Sequence, residues 1–287
     1  MDRAAFQTFH PVVPTVLFVG IIGLSMFGLE PLLVAASLIF ALLFALATQG
    51  VAAALDKLRW QIPLLVLVCL INPLFNARGS HLLFRLGPFL VYAESVAYGL
   101  VMGALLIAVL MWIENMAYLI GSDELLVMGG GVLPTVSLMV SMTMRLIPQL
   151  LSRATTVRTA LQATTSARAP QSEKRSRVRV MDALMSWALE DSLERSDAMR
   201  ARGWGAVAHR TSFEEHPFRM RDLIALALVA GLIVLAVFGV LDIVHGWDFY
   251  PSMTGTAPFG AYAPAIVLFA IPLCCIAAEH VWWAVHE

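Results

Sequence analysis

Charged residues are scarce in this chain: 14% of its 287 residues, against 59% that are hydrophobic. Soluble domains carry about 25% charged residues and about 45–50% apolar ones. With a mean hydropathy of +0.79, the composition excludes an ordinary soluble domain and points to a polytopic membrane protein. Cysteine is scarcer still. Cys69, Cys274 and Cys275 sit in apolar runs without C-x2-C spacing, so they support neither a disulfide framework nor a zinc site and read as small apolar-facing residues. His10, His81, His209, His216, His245, His280 and His286 are scattered without i, i+4 pairing, so no metal site is expected. Nucleotide-binding sequence is missing too: Gly129-Gly130-Gly131 lacks the following lysine of a P-loop, so the chain is not expected to bind ATP itself. Neither G-x-S-x-G nor H-E-x-x-H occurs, which leaves enzyme chemistry without a foothold. Catalytic residues, cofactor and nucleic-acid partner are all expected to be absent.

What is present is a series of apolar runs. A spanning helix needs about 20 predominantly apolar residues, and six segments come close: Val12–Phe27, 31–54, 60–75 (short), 91–120, 223–244 and 263–285. A seventh, 125–144, is broken early by its three glycines and Pro134 and reads as a buried or interfacial helix. The start, Met1-Asp2-Arg3, leads through Pro11 and Pro14 into the first run with no small-residue cleavage site, so a retained first helix is expected. Lys57 and Arg59 fall in the expected connection between the second and third runs. By the positive-inside rule that connection and the long stretch 121–221 are cytoplasmic. Six crossings then place both termini inside, with 76–90 and 245–262 outside and Trp247 suited to an interface. The expected fold is all-α, with about six transmembrane helices and two long cytoplasmic amphipathic helices, divided as 1–121, 122–220 and 221–287.

Residues 145–221 hold fourteen of the nineteen lysines and arginines. The periodicity predicts one helix over about Pro134–Thr165, a basic linker at 166–178, and a second helix over about 180–202. On the second helix Met181, Leu184, Ala188, Ser192 and Ser196 recur at helical spacing, and the small residues Ala188, Ser192 and Ser196 would let another helix approach closely. The tripeptide Ala201-Arg202-Gly203 has the chemistry of a helix terminus, since arginine in the last turn complements the dipole and glycine after it tolerates a left-handed conformation. Two acids stand inside apolar runs. Glu94 suits the first turn of its helix, and Glu114 lies near the other end, within reach of the cytoplasmic side. Gly99 and Gly103 form a G-x-x-x-G in the same run, and Ser122-Asp123-Glu124 suits a helix start.

Asn72-Pro73-Leu74-Phe75, Glu94 with Tyr98-Gly99, Ser122-Asp123-Glu124-Leu125-Leu126, Met144-Arg145-Leu146-Ile147-Pro148-Gln149-Leu150 and Ala201-Arg202-Gly203, in that order, resemble one family. It is the transmembrane T component (EcfT/CbiQ type) of energy-coupling factor transporters, and the resemblance runs from about Phe9 to the fifth apolar run. It implies a scaffold subunit of an ABC-type importer in a prokaryotic cell membrane. Such a subunit holds two cytoplasmic ATPases and a small substrate-binding membrane subunit, and takes up a vitamin or a cobalt or nickel ion. The resemblance also implies two coupling helices with Ala-Arg-Gly-like ends that dock on the ATPases. Ala201, Arg202 and Gly203, with Arg200 before them, match the second end. The first departs: Ala160-Leu161-Gln162 is followed by Thr164-Thr165 where Arg-Gly would be expected, so that contact is expected to use other residues, such as Arg158 or Arg168, or to be weaker. Arg145, Pro148, Ala188, Ser192, Ser196 and Glu94 are then expected to shape and pack the scaffold. A competing reading is a membrane scaffold or sensor whose basic region binds anionic lipid.

Overall fold

The computed structural model describes residues 9–75, 79–86, 89–121, 124, 134–165, 173–206, 218–247 and 258–286. The described residues form eight helices and one two-stranded hairpin. In chain order these are α1 (Val12–Phe27), α2 (Pro31–Gln49), α3 (Val51–Phe75), β1 (Leu82–Leu86), β2 (Phe89–Tyr92), α4 (Ala93–Leu119), α5 (Pro134–Thr165), α6 (Glu173–Ala201), α7 (Met220–Gly246) and α8 (Phe259–His286). Five helices, α2, α3, α4, α7 and α8, are long and apolar enough to cross a membrane. With 16 residues, α1 is equally apolar but only about 24 Å long, short of a hydrocarbon core of about 30 Å. Contacts divide the chain into two compact units, Met1–Glu124 with His216–Glu287, and Leu125–Glu215.

Several boundaries differ from the sequence expectation. The run at 31–54 breaks at Gly50, whose φ of +83° is open to glycine and costly for other residues. Helix α3 then starts at Val51, so Lys57 and Arg59 lie within a helix rather than a connection. The charge of Lys57 is tolerated because its Nζ sits 3.3 Å from Glu114 Oε2, and Gln61 Nε2 donates to Glu114 Oε1 at 3.2 Å; Arg59 is exposed. The fourth run begins at Ala93 because the residues before it pair as an antiparallel hairpin, Leu86 opposite Phe89 and Leu82 opposite Tyr92. Helix α6 begins at Glu173, so the basic residues through Arg177 belong to its first turns and not to a linker. Residues 125–133, Ser122-Asp123, Arg168 and Arg78 lie outside the described residues. Trp247, expected at an interface, packs against the buried pair Val34 and Val101.

In the first unit α4 is the central element. Gly99 and Gly103 face α3 so closely that a Cβ on Gly99 would meet Asn72 Cβ at 3.0 Å and the Cys69 backbone at 3.3 Å, and one on Gly103 would meet Leu65 at 3.3 Å. Lipid competes with apolar side chains as a solvent, so such close backbone approach, rather than burial itself, holds membrane helices together. Gly99→Val is therefore expected to push α3 off α4 and cost about 1–3 kcal/mol. The midpoint of detergent-induced unfolding measures the loss, and an unchanged midpoint would contradict this packing.

The opposite side of α4 carries Trp112, fully buried among Phe18, Phe44 and Phe269 with ring centroids 6.0, 6.3 and 6.4 Å away. Its indole N–H donates to Ser37 Oγ at 3.0 Å, and Ser37 Oγ lies 2.8 Å from Ser25 Oγ. One turn on, Asn115 donates to the Ala41 carbonyl and accepts from Gln49 Nε2. These bonds leave no polar group of the set without a partner in the apolar interior. They also fix α2 parallel to α4, because Ser37 and Ala41 pair in order with Trp112 and Asn115.

Candidate functional site

The second unit is built on two long helices of contrasting charge. Helix α5 carries Arg145, Arg153 and Arg158 and no acidic residue, whereas α6 opens basic and then presents Asp182, Glu190, Asp191, Glu194 and Asp197 before Arg200. Polar contacts join the two helices. Arg153 lies over the Trp187 ring at 4.9 Å, and Arg195 donates to Gln149 Oε1 while its Nε is 2.6 Å from Asp191 Oδ2. The side of α6 turned to α5 thus carries Trp187, Asp191 and Arg195. The expected face Met181, Leu184, Ala188, Ser192 and Ser196 coincides with that side only in part: Leu184 and Ala188 are half-buried, but Met181, Ser192 and Ser196 are exposed. The large side chains at the crossing explain this, since an indole and two guanidinium groups fill a separation that small residues would have closed.

The end of α6 is ordered by its own backbone. Trp204 N–H bonds the Met199 carbonyl and Gly203 N–H bonds the Arg200 carbonyl, each at 3.0 Å. Gly203 has φ of +82°. This pair of bonds is the Schellman motif, with Gly203 in the left-handed position that follows the helix. A Cβ at Gly203 would meet nothing closer than 4.0 Å, so the position requires glycine for its backbone angle and not for space. The cap fixes the direction in which Arg200, Ala201 and Arg202 leave the helix, and all three are exposed. Gly203→Ala is expected to cost about 1 kcal/mol of local stability and to fray the last turn. Faster amide exchange at residue 203 and Trp204, with the middle of α6 unaffected, would show it; unchanged exchange would count against the cap.

The end of α5 is different. Ala160, Gln162 and Arg158 are exposed on a helix that continues to Thr165, and no glycine stands there to build a matching cap. Arg145 and Pro148 are exposed on the earlier half of α5. Pro148 has no N–H to give to the Met144 carbonyl one turn back. Exposed apolar side chains run along both helices: Met139, Met144, Ile147 and Leu151 on α5, and Val178, Met181, Met185, Leu189 and Leu193 on α6, the last five at 65–70% exposure.

The buried acids of the first unit are committed to helix starts. Glu94, 3% exposed, accepts the His81 N–H with both carboxylate oxygens at 3.1 and 3.3 Å, tying the hairpin to the first turn of α4. Glu30, 6% exposed, accepts from Leu33 N–H at 2.9 Å and from the Tyr262 hydroxyl. Asp222, 2% exposed, accepts from Arg219 N–H at 2.9 Å and from His10 N–H at 3.2 Å, so one carboxylate closes the starts of both α7 and α1. A carboxylate there meets free N–H groups and the positive end of the helix dipole. Glu30 and Asp222 escaped the sequence reading. Glu30 sits between two runs rather than in one, and Asp222 falls between the basic stretch and the fifth run. Among the described residues no group of three His, Cys, Asp or Glu side chains is arranged to hold a metal ion. Comparison with models of known protein families and with curated proteins finds no match for this chain.

Proposed function

We propose that this chain is the transmembrane scaffold of an ATP-driven importer of the energy-coupling factor type. In this reading its end of α6 docks on a cytoplasmic ATPase, and its membrane helices hold a small substrate-binding subunit. The observation that carries the reading is the capped end of α6, which presents exposed Arg200 and Arg202 on a helix terminus of fixed direction. A guanidinium is a rigid fork of donors suited to carboxylates and carbonyls in a groove, and it stays charged at any physiological pH. Ala201 and Gly203 leave room for close approach. The exposed apolar stripes of α5 and α6 would supply a surface for a partner that is itself apolar.

The shared Asp222 cap supports the six-crossing topology. It makes α1 and α7 start at one end and run parallel, which requires an even number of crossings between their starts. On this topology α1 crosses despite its length, with the bilayer thinning locally around it. Lys57, Arg59, Arg219 and Arg221 then gather on one side, which the positive-inside rule makes cytoplasmic, and both termini share that side. Two ATPases are proposed as partners, although only α6 carries the Ala-Arg-Gly end. In α5 Arg158, Ala160 and Gln162 would have to serve without it.

The lipid-binding scaffold fits less well. Exposed Glu190, Glu194 and Asp197 fall at i, i+4 and i+7 beside the apolar stripe of α6, and an anionic headgroup surface would repel them. The two readings separate on purification of the tagged protein from its native host in mild detergent, with mass spectrometry of what stays bound. Two P-loop ATPases with a small integral membrane protein are expected, and the small protein would point to the substrate. A monodisperse protein that retains lipid and no ATPase would overturn the proposal.

A further inference from the structure

Helices α5 and α6 are unequal at their ends and joined by a compact set of contacts between them, and this combination has a mechanical consequence. On α6 the contacts lie at Trp187, Asp191 and Arg195, and Arg195 is about 9 Å of helix from Ala201. On α5 they lie at Gln149 and Arg153, about 18–24 Å from Thr165. The two sets interlock: Arg153 reaches from α5 over the Trp187 ring, while Arg195 reaches back from α6 to Gln149 and is held in that direction by Asp191 one turn earlier. Asp191 and Arg195 are both half-buried, which strengthens a charged hydrogen bond relative to one in water. Helix α6 ends in a glycine cap, and no glycine follows α5 to build one.

We infer that Gln149, Arg153, Trp187, Asp191 and Arg195 form a clasp that makes α5 and α6 one rigid body, so that a displacement applied at the capped end of α6 carries α5 with it. The inference rests on the coupling role proposed above for its purpose, but the clasp itself stands on geometry within this chain. These five are positioning residues: none touches the exposed docking end. The clasp answers the asymmetry of the ends, because a helix whose end lacks a cap can still be driven if it is fastened to one that has it. It also predicts that the two helices keep their mutual angle through a cycle of ATP binding, where independently docked helices would change it.

The test uses the full chain in nanodiscs with Cys69, Cys274 and Cys275 replaced by serine and spin labels on exposed Thr159 and Ser196. Pulsed electron resonance then gives the distance distribution between α5 and α6. A single narrow distance is expected for this background. Removing the cation–π contact with Arg153→Ala is expected to raise the population at other distances about two- to fivefold, Arg195→Ala is expected to broaden the distribution as well, and Trp187→Phe, which keeps an aromatic face, is expected to retain the narrow distance. A narrow distribution in both alanine variants would overturn the clasp. In the complex purified with its ATPases, ATP is expected to leave the distance unchanged, and an ATP-dependent shift between the labels would refute rigid-body motion. Absence of any ATPase from the purified protein would instead refute the proposed function and leave the clasp measurements standing.

Discussion

Arg202→Glu is expected to release the ATPase from the purified complex while leaving the protein folded. Arg202 follows the last helical residue of α6 and is exposed, with its backbone N–H bonded to the Ala198 carbonyl, so substitution keeps the cap and Gly203 in place. The cost within this chain is small: an acid at a helix C-terminus opposes the dipole by about 0.3–1 kcal/mol when exposed. The cost at the docking site is larger. A carboxylate set against groups that accept hydrogen bonds from arginine loses the bonds and adds repulsion, and disruption of a buried charged pair costs about 2–5 kcal/mol. That corresponds to a fall in affinity of about thirtyfold or more. Arg202→Lys keeps charge without the planar fork and is expected to fall between. The amount of ATPase retained on the tagged protein and the helical circular-dichroism signal separate the two costs. Wild-type retention in Arg202→Glu would remove the α6 end from the account.

Trp112→Ala is expected to have the largest effect on stability, about 3–5 kcal/mol. The indole is fully buried between rings from α1, α2 and α8 and donates the hydrogen bond that reaches Ser25 through Ser37. Truncation opens a cavity among four helices and takes away the Ser37 donor. In a membrane the void is especially costly, because van der Waals packing is the main force between the helices. Trp112→Phe keeps the ring and loses the donor, so it is expected to cost about 1–2 kcal/mol. Unfolding in mixed detergent, followed by the loss of helical signal, ranks the two. Equal midpoints for Trp112→Ala and the unmodified protein would contradict the central position of α4.

Much of the fold could be read from local pattern because local pattern decides it. Apolar length located five helices able to cross a membrane, and Pro134–Thr165 was read with its observed bounds. Gly203 was legible as a residue after a helix end, since left-handed φ is a property of glycine itself. Gly99 and Gly103 were legible as a close helix approach, and Glu94 as a first-turn acid. What escaped depends on residues far apart in sequence. Lys57 looked like part of a connection because its partner Glu114 is on another helix. The hairpin before α4 was hidden in a stretch that is apolar on successive residues, Leu82-Leu83-Phe84, and lacks the alternation that marks a half-buried strand. The clasp of α5 and α6 was missed because spacing pointed to small residues, while the contact is made by Trp187, Asp191 and Arg195, whose partners are known only once the helices cross. Asp222 reaches His10 from the other end of the chain, and no local pattern announces that bond.

The central claim, that the capped end of α6 meets an ATPase, is tested most directly by placing a photo-reactive benzoylphenylalanine at Trp204. That position follows Gly203, is 43% exposed and is already aromatic, so the probe sits beside Arg202 without altering it. Irradiation in native membranes, followed by mass spectrometry of the adduct, is expected to give one product of this chain with a P-loop ATPase, diminished in Arg202→Glu. Adducts with lipid alone, while a probe elsewhere on the same protein reacts normally, would contradict the account.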